Sequence, residues 1–311
     1  MGCAKLGHMP AHSNIQTVTQ AGHTSLQLTT RYGTATVALH GAHLLSWIPT
    51  GQREVFWLSP ASRPAPAAIR GGVPICWPWF GKQGMPPGAM QHGPLRNLPW
   101  EISAVHADSA ERVSITLTPC RATHADDALL QFAPHLRVAL HITLGENLEQ
   151  TLETHNHGTH DFPLTQALHS YFAVQDVTQV RLTGLEDLCF EDKLRGTTGT
   201  VQHGPFQLDT ACDRIYQHAT TKPSYHYTLH DDLGARRIHI HTQGSQSVVV
   251  WNPGADTARS MVDVPDAAWQ DFLCVEATNA GQDDVVTLTP GGQHCLKQTL
   301  TVEAWSPLRS P

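Results

Sequence analysis

Little in this 311-residue sequence points to a membrane, a nucleic acid or a disulfide scaffold. No run of about 20 apolar residues is available to span a bilayer as a helix. Met1 to Gly22 contains no apolar stretch resembling a signal peptide and reads as a loose polar lead-in over residues 1–19. The seven cysteines (Cys3, Cys76, Cys120, Cys189, Cys212, Cys274, Cys295) are odd in number, widely scattered and form no C-x-x-C. That excludes a disulfide framework and a cysteine–zinc site, and it fits a reducing cytoplasm. Charged residues make up only 15% of the chain and the net charge is −7, so nucleic acid is a poor partner. An anionic small substrate would need a local basic pocket within this acidic envelope. The phosphate-binding motifs G-x-x-x-x-G-K-[ST] and G-x-G-x-x-G are absent, as are the G-x-S-x-G elbow and H-E-x-x-H. Nucleotide, serine-hydrolase and zincin chemistries lose their usual support.

Helical periodicity is also scarce. The best stretch is Asp266–Leu273, where Asp266 is a candidate cap before Ala267, Ala268, Trp269 and Phe272. Short alternating segments dominate instead: Leu26–Thr30, Thr34–Leu39, Val113–Thr118, Leu136–Leu144, Leu148–His155, Tyr225–Leu229, Arg237–His241, Val248–Trp251 and Gln298–Val302. Their period of two and their Val, Thr and Ile content predict half-buried strands. Many short strands without crossover helices predict an all-β fold of large antiparallel sheets packed as a sandwich. No linker or repeat divides the chain, so one domain over 20–303 is expected, with a C-terminal tail over 304–311.

The most shaped segment is Arg70-Gly-Gly-Val-Pro-Ile-Cys-Trp-Pro-Trp-Phe-Gly81, followed by Gln91-His-Gly-Pro-Leu-Arg-Asn97. Glycine and proline rule out regular helix and predict a long, rigid loop. Aromatic faces beside fixed polar donors suit a sugar, and arginine suits an anion such as a phosphate. Trp77 and Trp79 are either sugar platforms or core packing. His169 lies in the apolar context Ala167-Leu-His-Ser-Tyr-Phe172 and is either a satisfied core residue or a functional group. Glu276, flanked by Leu273, Cys274, Val275 and Ala277, is a carboxylate in an apolar strand. Such a group costs several kcal/mol unless paired, so it is either a structural partner or kept for function. Together they make a workable general acid and base if they face one cleft. The cluster His155-Asn-His157-Gly-Thr-His160 reads as a solvated turn, with a cupin-like metal site as the alternative. His239 and His241 read as a solvent-facing stripe opposite Ile238 and Ile240.

Six segments taken in order, Ile69–Gly81, Gln91–Trp100, Ala167–Phe172, Thr210–Tyr216, Val249–Pro253 and Cys274–Asn279, resemble the glucose-6-phosphate 1-epimerases. These are the hexose-6-phosphate mutarotases of the aldose 1-epimerase, galactose mutarotase-like superfamily. The resemblance runs from about residue 20 to residue 303. It departs at Pro94 and Leu95, where the family commonly has Phe-Ala before the arginine, and at Ala277 and Thr278. It implies a β-supersandwich and an isomerase of carbohydrate metabolism that interconverts the α and β anomers of a hexose 6-phosphate, with no metal and no organic cofactor. By the same resemblance His169 matches the general acid and Glu276 the general base. Arg70, Gln91, Arg96 and Asp213 match substrate-binding positions, and His92 matches a second cleft histidine. The implied partner is a small-molecule sugar phosphate handled by a cytoplasmic monomer, with neither nucleic acid nor membrane. Two rival functions remain: a non-catalytic sugar-phosphate sensor on the same fold, and a metal-dependent cupin-like isomerase.

Overall fold

Strands built on a two-residue period need a partner for their apolar face, and two large sheets supply it here. A computed structural model describes residues 14–120 and 131–305. Each of the nine expected strands overlaps an observed one, and some observed strands run longer: Leu26–Thr30 lies within His23–Thr30 and Gln298–Val302 within Gln293–Ala304. One eight-stranded antiparallel sheet runs in the order Arg181–Thr183, Tyr225–Asp231, Arg236–Gln243, Gln293–Ala304, Leu148–Asn156, Leu136–Leu144, Arg112–Pro119, Trp100–Ser109. Its strands alternate strictly: in Leu148–Asn156 every second residue is buried and the intervening ones are half-exposed. One face therefore meets the core and the other meets water. His239 and His241 lie on the outer face while Ile238 and Ile240 are fully buried, as the stripe reading expects.

The second eight-stranded sheet runs Thr197–Val201, Cys189–Asp192, Cys212–Gln217, Ser247–Asn252, Phe272–Asn279, Gln166–Leu168, Ile75–Cys76, with Tyr171–Ala173 also pairing with Phe272–Asn279. Phe272–Asn279 is buried at all eight positions because both of its faces are covered. Leu273, Val275 and Ala277 join Leu152, Leu296 and Ile240 in the main core between the sheets. Phe272 and Cys274 point the other way, into a smaller cluster with Trp57 and Tyr171, and Glu276 shares their side. A four-stranded sheet of Ile15–Gln20, His23–Thr30, Gly33–Ala38 and His43–Pro49 completes the large antiparallel array. This is a β-supersandwich.

Two expectations change. Ile15–Gln20, within the expected loose lead-in, pairs with His23–Thr30 and buries Ile15; residues 1–13 lie outside the described ones. Asp266–Leu273 is not a two-turn helix but a single 3-10 turn at Ala268–Asp271 running into the strand from Phe272. The Asn252 amide donates to the carbonyls of Trp269 and Phe272, both at 2.8 Å, and strand pairing claims Phe272 and Leu273. Tertiary partners thus override a short local propensity. No helix among the described residues is long and apolar enough to cross a membrane.

Candidate active site

The strand Phe272–Asn279 is paired along one edge by two three-residue strands with a gap between them. Leu168 stands opposite Ala277, and Tyr171 opposite Cys274. His169 and Ser170 fill that gap. Ser170 is held by three bonds: its amide donates to Leu168 O (3.0 Å), its carbonyl accepts from Val275 N (3.2 Å), and its hydroxyl donates to Gln298 Oε1 (2.9 Å). The His169 amide donates to Pro74 O at 3.0 Å. The register is the same on both sides of the gap, so His169 stands opposite Glu276, with Nε2 and Oε1 3.4 Å apart. That is ion-pair range without a hydrogen bond between them. His169 Nδ1 and both Glu276 oxygens have no hydrogen-bond partner within the protein. Native buried polar atoms are rarely left so, and a catalytic role is one of the few reasons for it.

The imidazole is fixed by stacking. Tyr171 lies parallel to it at 4.8 Å and 9°, while Trp251 and His92 meet it edge-on at 6.0 and 5.9 Å. Arg70 donates from Nη1 to the Tyr171 hydroxyl at 2.8 Å and from Nε to Asp263 Oδ2 at 3.1 Å. Its guanidinium therefore braces the stack while its charge is balanced by Asp263.

The loop between Trp77 and Arg96 forms another wall. It closes through Trp77 N to His92 O (3.1 Å), His92 N to Gly81 O (2.9 Å) and Trp79 Nε1 to Met90 O (2.9 Å). His92 itself takes a left-handed φ of 66°, and Gly93 beside it leaves no room for a Cβ, which would run into the Trp77 carbonyl. Trp77 is fully buried with its indole N–H donated to Thr154 Oγ1 (2.9 Å), and Trp79 is also buried, so both pack rather than serve as platforms. His92 Nδ1 accepts from the Gly81 amide at 3.2 Å. Burial, then Arg96, Lys193 and Arg70, push its pKa down to about 3. A neutral imidazole accepting at Nδ1 carries its proton on Nε2, so His92 is a hydrogen-bond donor there. Gln91 sits at the rim, its side-chain nitrogen 3.4 Å from His92 Nε2. Arg96 donates from Nη2 to Gln91 O (2.9 Å), and its buried Nε has no protein partner.

Asp213 comes from Cys212–Gln217, in register with Trp251, which in turn faces Cys274. It is thus two strands across from Cys274 and close to the glutamate. Burial raises the Asp213 carboxyl above its usual value, with Lys193 opposing. Glu276 is raised well above the carboxylate range by burial first and then by Asp213, again opposed by Lys193. Burial holds His169 well below its ordinary value, with the charges of His92, Arg70 and Arg96 adding to it. Both shifts favour the uncharged pair, a protonated carboxyl beside a neutral imidazole.

Seven residues were expected here, and the fold gathers His169, Glu276, His92, Arg70 and Asp213 round one cleft, with Gln91 and Arg96 at its rim. Tyr171, Trp251, Asp263 and Lys193 are the neighbours that sequence reasoning did not single out. Tyr171 and Trp251 stood inside the matching segments, which was the available signal. The cluster His155–His160 is elsewhere: its rings contact Glu153, one another and Thr159, and the Asn156 side chain ties the turn to Gly158 N and His160 O. It is a braced surface turn. Among the described residues, the set of three His, Cys, Asp or Glu ligand atoms lying within 4.8 Å is His169, Cys274 and Glu276, not this cluster.

Comparison with known proteins agrees with the geometry. The family model described as aldose 1-epimerase matches residues 24–301. A protein of Escherichia coli (strain K12) named "Putative glucose-6-phosphate 1-epimerase" is 38% identical over 260 residues, covering 81% of this chain and 82% of its own length. A protein of the same name from Cenchrus ciliaris is 32% identical over 270 residues, covering 83% and 78%. The solved structure of a "putative mutarotase" from Salmonella typhimurium superimposes with a TM-score of 0.83 at 32% identity, covering 94% of each chain.

Proposed function

This chain belongs to the aldose 1-epimerase family, and from that premise we propose that it interconverts the α and β anomers of a hexose 6-phosphate, glucose 6-phosphate first among them. The observation that carries the reading is the buried His169–Glu276 pair, 3.4 Å apart and otherwise unpartnered. Mutarotation needs one proton removed from the C1 hydroxyl and one delivered to the ring oxygen. In its ionised form Glu276 takes the C1 proton and imidazolium His169 protonates O5, which opens the ring. The aldehyde turns about C1–C2, and the reverse transfers close it on the other face. No net proton leaves the pair, so an enclosed site suits the chemistry. A positioned proton transfer contributes about 10²–10⁴-fold.

Asp213 and the Nε2–H of His92 hold ring hydroxyls, keeping the sugar in register while C1 turns. Arg96, which among the described residues donates from Nη2 to the Gln91 carbonyl and leaves its Nε without a partner, supplies charge for the phosphate. Arg70 acts through Tyr171. We assign the chemistry to one domain, which takes in the strand Ile15–Gln20 and extends through Gln293–Ala304, working as a monomer in the cytoplasm; the six described cysteines are all free thiols, in keeping with that setting.

The test is NMR exchange between the anomers of glucose 6-phosphate, with free glucose alongside, in the presence and absence of protein. Faster exchange of the phosphorylated sugar is expected. Unchanged exchange with either sugar, despite measurable binding, would identify a sensor instead of a catalyst.

A further inference from the structure

A dianion approaching a protein of charge −7 needs a cation whose charge is not already matched. Arg70 is matched by Asp263, and Arg96 spends one donor on Gln91 O. Lys193 lies near the same cleft and was not expected there. It follows the strand Cys189–Asp192 at a turn built by Asp192, which is buried. Asp192 Oδ1 accepts from the amides of Leu194 (3.1 Å) and Arg195 (3.0 Å), and Oδ2 accepts from Arg214 Nε (3.2 Å). The Lys193 amide donates to Asp213 O at 2.9 Å, so this backbone is tied directly to a residue of the site.

With its backbone held, the side chain is exposed, and its Nζ stands 5.4 Å from the centre of the Phe80 ring. Phe80 meets His92 edge-on at 5.1 Å, and the next amide, Gly81, donates to His92 Nδ1. The lysine charge is felt at His92, Asp213 and Glu276, three groups on different elements of the site. Ion pairs among the described residues engage Lys297 but not Lys193.

We propose that Lys193 is a specificity-determining residue that binds the phosphoryl group of the substrate, sharing that dianion with Arg96. This rests on the reading of the site as one for hexose 6-phosphates. The charges of both cations are felt at His92, with Lys193 over the Phe80 ring that meets His92 edge-on. Lysine serves as a compact charge on a flexible stem, whereas arginine adds a planar fork. Because Lys193 and Asp213 are tied through the backbone, the phosphate and hydroxyl contacts are set by one pair of neighbouring strands.

The experiment compares wild type, Lys193→Met and Lys193→Arg with glucose 6-phosphate and glucose, and measures inhibition by glucitol 6-phosphate, which has no anomeric carbon. Lys193→Met should raise KM for glucose 6-phosphate and Ki for glucitol 6-phosphate by about 10–100-fold, the loss expected for one charge-assisted contact. Its kcat should change little, the preference over glucose should shrink by the same factor, and Lys193→Arg should recover most of the loss. Raising salt should depress the wild-type kcat/KM for glucose 6-phosphate more steeply than that of Lys193→Met. Unchanged KM and Ki in Lys193→Met, or a proportional loss with glucose, would overturn the role of Lys193 alone. A wild-type protein showing no preference for the phosphorylated sugar would instead remove the phosphate reading on which the role depends.

Discussion

Replacing Glu276 by glutamine should inactivate the protein and stabilise it at once. The carboxyl is 1% exposed, and burial raises its pKa well above the ordinary value. Below the unfolded-state pKa the group is protonated in both states and costs nothing. Above it, the unfolded chain ionises while the folded chain holds its proton, so stability falls as pH rises toward the folded pKa. Glutamine removes that dependence. Its amide keeps one acceptor oxygen and brings N–H donors beside the His169 ring, whose Nε2 lies 3.4 Å from the carboxylate. A gain of about 1–2 kcal/mol is typical when a functional group of this kind is neutralised, and should raise Tm by about 2–4 °C at pH 8. The gain should vanish near pH 4. Over the same change kcat for anomer exchange should fall by about 10²–10⁴-fold, equivalent to about 3–5 kcal/mol of transition-state stabilisation. Calorimetry at the two pH values and NMR exchange with glucose 6-phosphate read the two effects separately. A Tm that drops at pH 8 would refute the account of the buried carboxyl, and near-normal turnover would remove Glu276 from the mechanism.

His169→Asn should lose at least about 10²-fold in kcat, and combining it with Glu276→Gln should cost little more than the worse single change, since the two act as one unit; additive losses would separate them. The pH–rate profile of kcat/KM should be bell-shaped, with the acid limb set by protonation of His169, whose pKa is depressed, and the alkaline limb by loss of the proton that burial keeps on Glu276. A profile that lacks either limb over the range in which the protein stays folded would contradict that single-proton pair. Arg96→Ala should reduce kcat/KM for glucose 6-phosphate by about 10–100-fold and affect glucose much less. Arg70→Ala strands Asp263 and frees Tyr171 from its 2.8 Å bond, so it should slow both sugars in proportion and lower Tm; selective loss with the phosphorylated sugar would return Arg70 to the phosphate.

The strands were legible because alternation is a physical requirement of a sheet with one wet face, and Leu148–Asn156 and Arg236–Gln243 show it residue by residue. Glu276 was legible for the opposite reason: a carboxylate in an otherwise apolar strand must be either partnered or used. Trp77 and Trp79 were not, because an indole in a proline- and glycine-rich loop gives the same local pattern whether it faces a ligand or the core. Only the closure of the loop onto His92 turns Trp77 toward Thr154. Asp263 and Lys193 were hidden because neither stands near the other site residues in sequence: Asp263 reaches Arg70 from a distant segment and Lys193 follows the turn at Asp192.

The protonation state of the pair was hidden too, since it is set by how completely both groups are removed from water. What joins these facts is the gap between Gln166–Leu168 and Tyr171–Ala173. Two three-residue strands are too short to carry a periodic signal, yet both are pinned to Phe272–Asn279, which leaves His169 no place but beside Glu276. The two short strands keep one register against Phe272–Asn279, so residue 169 stands opposite Glu276, and alternation puts its side chain on the face shared by Tyr171 and Cys274. Ser170 keeps the backbone fixed through Val275 N and Gln298. Acid/base geometry in this fold therefore follows from a register carried across a short interruption, and a substitution such as Ser170→Ala, which removes the bond to Gln298, should loosen that geometry more than it lowers Tm.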